Sequence, residues 1–223
     1  MTLFIGFGHT SRCGKDTVAN ALVDSLQSFG VTAKKISWAW HMKQIAHELY
    51  SWAGVEAPEH YETKEGEQDR EIKLTKLASP LFPEGPTVVE VWVAIGTPAF
   101  RESVYPRTWV DYVLKKDHGV DVIVIPDCRF PNEIEALKDE GGWCYRCVRE
   151  GFPGRDTVAD RALRGKEVWD GTIGGPNVGC LVRQAHLMAE ALHRGRSPTE
   201  ACINSNYWSY IYYNNLREAN LAY

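Results

Sequence analysis

The sequence predicts an α/β protein, a central parallel β-sheet flanked by helices, with a glycine-bearing loop after its first strand. Three observations carry that prediction. Leu3-Phe4-Ile5 reads as a short buried strand, and a glycine-bearing stretch leads from it into a helix whose Val18, Ala19, Ala21, Leu22 and Leu26 recur at helical spacing. Val120-Asp-Val-Ile-Val-Ile125 is a short, β-branched, nearly continuous apolar run, as a strand buried on both faces requires. Strand-like and helix-like segments alternate along the chain, the order that builds parallel sheets covered by helices.

The loop after the first strand is Gly6-Phe7-Gly8-His9-Thr10-Ser11-Arg12-Cys13-Gly14-Lys15-Asp16-Thr17, and Gly30 is the candidate cap at the far end of the helix. Backbone N–H groups gathered in one concavity, the partial positive charge of a helix N-terminus and a mobile lysine together suit a polyphosphate. The G-x-x-x-x-G-K-[ST] pattern places glycine where this chain has His9, with Gly8 one position early. Asp16 stands where a Ser or Thr would contact Mg²⁺, and Thr17 is the next residue. Either Gly8 takes up the turn in a longer loop or His9 tolerates the backbone; an ordinary strand-to-helix turn is the plainer alternative.

Val31 to Ile36 reads as the second strand, and a helix extends from about Ser37 to Trp52. From Gly54 to Glu71 the composition turns polar and acidic, with Arg70 inside it, and predicts an exposed excursion. Pro80, Pro83 and Pro86 interrupt any long helix. Apolar periodicity returns from Val88 to Phe100 but breaks at Gly96-Thr97-Pro98, with Arg101 and Arg107 just beyond and a short helix at Trp109 to Leu114. After the core strand come Pro126-Asp127-Cys128-Arg129-Phe130-Pro131-Asn132-Glu133, a helix over Ile134 to Leu137, and a strand at Trp143 to Val148. In parallel sheets, ligands gather at the strands' C-terminal ends, where both the first loop and Asp127–Arg129 would lie. Residues 149–166 are loop-like and rich in arginine (Arg149, Arg155, Arg161, Arg164), either a closing lid or a solvated basic loop. An amphipathic helix spans 178–194, and the tail at 200–223 is aromatic, suited to packing on the domain or on a partner.

At 223 residues the chain fits one domain with an insertion, placed at about 38–115. Its 25 basic and 29 acidic residues give a net charge of −4, which supplies no field for duplex nucleic acid. No stretch approaches the roughly 18 apolar residues of a membrane span, and no signal peptide precedes the first strand, so a cytoplasmic protein is expected. Cys144 and Cys147 form a lone C-x-x-C in a predicted strand, where residues three apart face opposite sides. With no second pair to complete a zinc site, structural thiols are the reading for them.

Four segments in order resemble the deoxynucleoside monophosphate kinases of bacteriophages and bacteria. Arg12-Cys13-Gly14-Lys15-Asp16-Thr17 resembles the family's R-S-G-K-D-T, including its Asp. Ser37-Trp38-Ala39-Trp40-His41-Met42-Lys43 resembles S-F-A-D-P-L-K, with Trp40 and His41 in place of the Asp and Pro. Gly96-Thr97 with Arg101, then Trp109-Val110, resembles G-T-x-x-x-R followed by W-V. Asp127-Cys128-Arg129-Phe130-Pro131-Asn132-Glu133 resembles D-V-R-F-P-N-E and is the most specific stretch. The resemblance covers about residues 3–150.

The resemblance implies a P-loop NTPase fold with a mobile arginine-rich lid, and an ATP- and Mg²⁺-dependent kinase that converts a deoxynucleoside 5′-monophosphate to the diphosphate. By position, Arg12 to Thr17 and Arg149 would bind ATP, with Lys15, Arg101, Asp127 and Arg129 at the chemistry. Lys43, Arg101 and Arg129 would surround the acceptor and transferring phosphates; on residue type rather than resemblance, Arg70 and Arg107 are further candidates to grip the acceptor phosphate, Trp38 to stack its base, and Asp16 and Asp127 to hold Mg²⁺ through water. Asp127 alternatively fixes Arg129 in a structural ion pair. For a phage-encoded chain the compartment would be the host cytoplasm, and a second copy of the chain is a candidate partner. A kinase of another phosphorylated metabolite (phosphomevalonate or dephospho-coenzyme A) and a non-catalytic nucleotide-binding module are the rival readings.

Overall fold

A computed structural model describes residues 2–9, 12–149 and 161–200. The chain forms two compact units, Met1–Ser37 with Asp117–Tyr223, and Trp38–Lys116.

The first unit holds a sheet whose five described strands run in the order β2-β3-β1-β4-β5, every neighbouring pair parallel. They are β1 (Leu3–Gly8), β2 (Ala33–Lys35), β3 (Val122–Cys128), β4 (Trp143–Arg149) and β5 (Gly171–Gly175). Helices among its described residues include α1 (Lys15–Ser28), α6 (Pro131–Asp139) and α7 (Val178–His193). On one face, Val18, Ala19, Leu22 and Leu26 of α1 and Leu181, Ala185 and Met188 of α7 close over Ile5, Phe7, Val124 and Tyr145. These spacings place one apolar stripe of each helix toward the sheet, and each large side chain so buried contributes about 1.5–3 kcal/mol. On the other face β1 must be thin. A Cβ on Gly6 would lie 2.7 Å from Cys128 Sγ and 2.8 Å from Leu137 Cδ1.

Several boundaries in this unit differ from those the sequence predicts. The second strand is only Ala33–Lys35, and the core strand runs to Cys128 rather than Ile125. Pro126 and Asp127 therefore lie inside β3, at a register shift: Gly6 pairs with Ile125, but Gly8 pairs with Cys128. Pro126 has no N–H for the ladder, so the irregularity falls where a ladder bond is lost in any case. The sequence carries no sign of β5, whose Gly-Thr-Ile-Gly-Gly has a single large apolar residue. Polar clamps hold it. Asp170 Oδ2 accepts from Cys144 N at 2.8 Å, and Gln184 of α7 accepts from Gly174 N at 3.1 Å and donates to its carbonyl.

The second unit contains α2 (Trp40–Tyr50), α3 (Lys64–Asp69), α4 (Val88–Ala94) and α5 (Thr108–Lys115) around Met42, Ala46, Val55, Tyr61, Trp92 and Trp109. One expectation is refined and one corrected here. Glu56, Glu59, Glu62, Glu65 and Glu67 are exposed, as expected, but the segment is anchored: Tyr61 is 1% exposed, its hydroxyl accepts from Glu56 N at 2.9 Å, and its ring meets Trp92 edge-on. One aromatic anchor outweighs the surrounding charge, which stays on the surface. The chain also does not break at Gly96-Thr97-Pro98. After a Thr87/Glu90 capping box, α4 continues as a π-helix over Ile95–Glu102. The Trp109 indole donates to Gly96 O at 2.9 Å, and a Cβ on Gly96 would meet Met42 Sδ at 2.7 Å. The wider π turn carries Pro98, whose ring and missing N–H disrupt an α-helix interior. Among the described residues, no helix is long and apolar enough to cross a membrane.

Candidate functional site

All five described strands are parallel, so the chain leaves each of them at the same edge of the sheet. That edge carries the loop after Gly8, the segment Asp127 to Arg129, and Arg149, which ends β4 opposite Gly175. Lys35 ends β2 on this edge as well.

The loop resolves the two alternatives for the displaced glycine. His9 itself takes the left-handed conformation, φ 100°, at the position where the pattern has glycine. Gly8 stays in the sheet, paired with Cys128 and Arg146, and is small because a Cβ would strike the Cys128 carbonyl and lie 2.7 Å from the Trp169 ring. Arg12 (φ 62°) and Gly14 (φ 96°) are left-handed too, the latter with Leu181 Cδ1 2.5 Å from any added Cβ. Gly14 caps α1 without a side chain, so no side chain blocks the amides of the first turn. Thr10 and Ser11 lie outside the described residues, as do 150–160 of the expected lid and most of the aromatic tail.

Lys15 opens α1 and is buried, with Nζ 3.6 Å from Cys13 Sγ. A hydrogen bond from the Cys147 thiol, then the Lys15 charge, bring the Cys13 thiol down to about 6 against the opposing effect of burial. Cys147 moves the opposite way, well up, because it donates that hydrogen bond and is itself buried. Cys144 and Cys147 do face opposite sides of β4: Cys144 Sγ and Cys128 Sγ both flank Gly6, while Cys147 belongs with Cys13.

The exposed Asp16 carboxylate lies 3.7 Å from Lys35 Nζ, and Thr17 is half-buried beside it. Asp127 sits in the irregular part of β3, half-buried. Arg129 comes next on a segment fixed by Glu133, which is 4% exposed; Glu133 Oε2 accepts from Arg129 N at 2.8 Å and from Phe130 N at 3.1 Å. Among the described residues no three His, Cys, Asp or Glu side chains form a metal-binding group. Mg²⁺ needs no such cage, because phosphates and water supply most of its ligands and one carboxylate suffices.

The other predicted residues belong to the second unit. Lys43 Nζ lies 4.9 Å from the centroid of the Trp92 ring, and Arg70 donates to the Tyr61 carbonyl. Lys43 thus lies over one ring of the Tyr61–Trp92 pair, whose centroids stand 5.0 Å apart at 89°, while Arg70 holds the Tyr61 backbone. Arg101 lies in the last turn of the π-helix. Arg107 pairs with Asp111 one helical turn on, at 3.0 Å. Trp38 is 2% exposed, so its ring presents no open face for a base.

Sequence reasoning missed Trp169, Lys35 and the roles of Glu133 and Cys147. Only Glu133 carried a local signal, an acidic residue three positions after Phe130 at a helix start. Trp169 and Lys35 reach the loop from distant segments.

A parallel sheet flanked by helices, with a glycine–lysine loop running from β1 into α1, is consistent with a P-loop NTPase-like fold. No family model matches the chain. It is 28% identical over 159 residues, 70% of this chain and 78% of the other, to a protein of Acanthamoeba polyphaga mimivirus named "Putative deoxynucleotide monophosphate kinase".

Proposed function

We propose that the protein is a nucleotide kinase that moves the γ-phosphoryl group of ATP onto a deoxynucleoside 5′-monophosphate, yielding ADP and the diphosphate. The observation that carries the reading is Lys15, held buried at the start of α1 behind a loop with left-handed His9, Arg12 and Gly14. The distant similarity to a named deoxynucleotide monophosphate kinase supports the acceptor class.

In this reading the loop amides and Lys15 take the donor phosphates, and Asp127 would hold Mg²⁺, which neutralises phosphate charge. Arg129 neutralises charge on the transferring group, with Arg149 as a further cation for the donor. Lys43 and Arg101 are assigned to the acceptor by motif position. No general base is needed, since the attacking acceptor oxygen is already anionic at neutral pH; alignment and charge neutralisation do the work.

The test is an ADP-release assay with ATP, Mg²⁺ and each of the four common deoxynucleoside monophosphates, with products separated by chromatography. Acceptor-dependent release with diphosphate formed supports the proposal and identifies the accepted bases. ATP binding without transfer to any of the four overturns it.

A further inference from the structure

Cys13 places a thiol where the loop meets its lysine. Its Sγ is fully buried, 3.6 Å from a Lys15 Nζ that is itself in the interior. Behind it stands Cys147 of β4, one residue beyond the Gly8–Arg146 pair and so beneath the point where the loop leaves β1. The neighbouring strand contributes apolar Ile173, the register partner of Cys147, and α7 contributes apolar Leu181, which packs on Gly14. The charged and titratable groups acting on Cys13 are therefore Lys15 and Cys147. The hydrogen bond from Cys147 and the lysine charge bring Cys13 to about 6. Its sulfur is then mostly anionic at neutral pH, while Cys147 remains a thiol and donates.

We propose that Cys13 is a resident counter-anion of Lys15, and that an incoming polyphosphate takes the lysine over while Cys13 gains a proton. The inference rests on the reading that this loop binds nucleotide phosphates. Two anions cannot share one buried cation without cost, and a like charge beside a thiolate raises its pKa. The proton comes from solvent and ends on Cys13 Sγ; no covalent bond is made or broken. Because the complex then holds more protons than the separate partners, lower pH favours binding. Affinity should rise as pH falls from about 8 to about 6, then level off once the thiol is protonated in either state.

Calorimetric titration with ATP at neutral pH, in two buffers of different ionisation enthalpy, counts the protons. Wild type should take up about half to one proton more than Cys13→Ser, a comparison that cancels the titration of ATP itself. Equal uptake by two proteins that both bind ATP overturns the counter-anion role and leaves the phosphate-loop reading standing. Failure of the wild type to bind ATP overturns both. Thiolate ultraviolet absorbance gives a test that does not depend on the serine variant folding. The wild type should show a transition near pH 6 that moves upward with inorganic tripolyphosphate, which does not absorb, and upward again in Lys15→Ala. A transition unmoved by both sinks the proposal.

Discussion

His9 meets Trp169 edge-on, ring centroids 6.4 Å apart and planes at 78°, while holding a backbone φ of 100°. A non-glycine residue there carries strain of about 1–2 kcal/mol, offset in part by the ring contact. His9→Gly removes the strain and the contact together, whereas His9→Ala keeps the strain and loses the contact. The glycine variant should therefore exceed the alanine variant in stability by about 1 kcal/mol, read from denaturant midpoints. Equal midpoints would show that the loop relaxes around alanine and that His9 is not strained.

Glu133 holds the Arg129 segment by accepting two backbone N–H groups on one buried oxygen. Truncation leaves both donors at a helix start unsatisfied. Glu133→Ala should cost about 2–3 kcal/mol, while Glu133→Gln, which keeps a carbonyl acceptor, should cost less than half as much. Thermal melts of the two variants decide this, and identical losses would mean that the charge, not the acceptor geometry, matters.

The parts of the fold legible in the sequence are those whose signal is local. β1, α1 and β3 announce themselves because side chains of one element share one environment, so periodicity and apolar runs survive in the chain order. β5 is illegible because its stability comes from Asp170 clamped to Cys144 and Gln184 clamped to Gly174, contacts set by other elements. The π-helix is hidden for the same reason. Pro98 argues for a break, and the Trp109 indole that holds the turn lies 13 positions from Gly96. At the candidate site, chain order alone brings the loop, Asp127, Arg129 and Arg149 to one sheet edge, since each follows or ends a parallel strand. It could not show that Asp16 faces Lys35, or that Trp169 leaves Gly8 no room for a Cβ.

Asp121 joins the starts of β2 and β3: its Oδ2 accepts from Thr32 Oγ1 at 2.6 Å and from Thr32 N at 3.1 Å. The hydroxyl's hydrogen bond, then that of the amide, hold this carboxyl below the ordinary range. A depressed carboxyl stabilises the fold at pH above its unfolded value, and the benefit disappears as pH falls through the folded value. Wild type should therefore be more stable than Asp121→Asn near neutrality, and the gap should close only as pH falls below the ordinary aspartate range. Urea midpoints at the two pH values test this. A gap that persists in acid would assign the stabilisation to packing instead.

Lys15 is the residue on which the proposed chemistry most depends, and its burial makes the test demanding. A surface lysine can be replaced by a neighbour or by counter-ions, but one at 5% exposure at the start of α1 has no such substitute. Its ammonium would stabilise charge that develops on the transferring phosphoryl group, in a site where water screens little. Lys15→Ala should lower kcat by about a hundredfold to a thousandfold or more, by analogy with the loss of a single electrostatic stabiliser of a transition state. The fold should survive, because α1 is anchored by Val18, Leu22 and Leu26 and alanine suits a helix. Circular dichroism and a melt establish that point before kinetics are read. A folded variant that turns over like wild type would remove Lys15 from the chemistry and the phosphate role of the loop with it. Loss of kcat at little change in KM would mean that the lysine acts on the transition state more than on bound ATP.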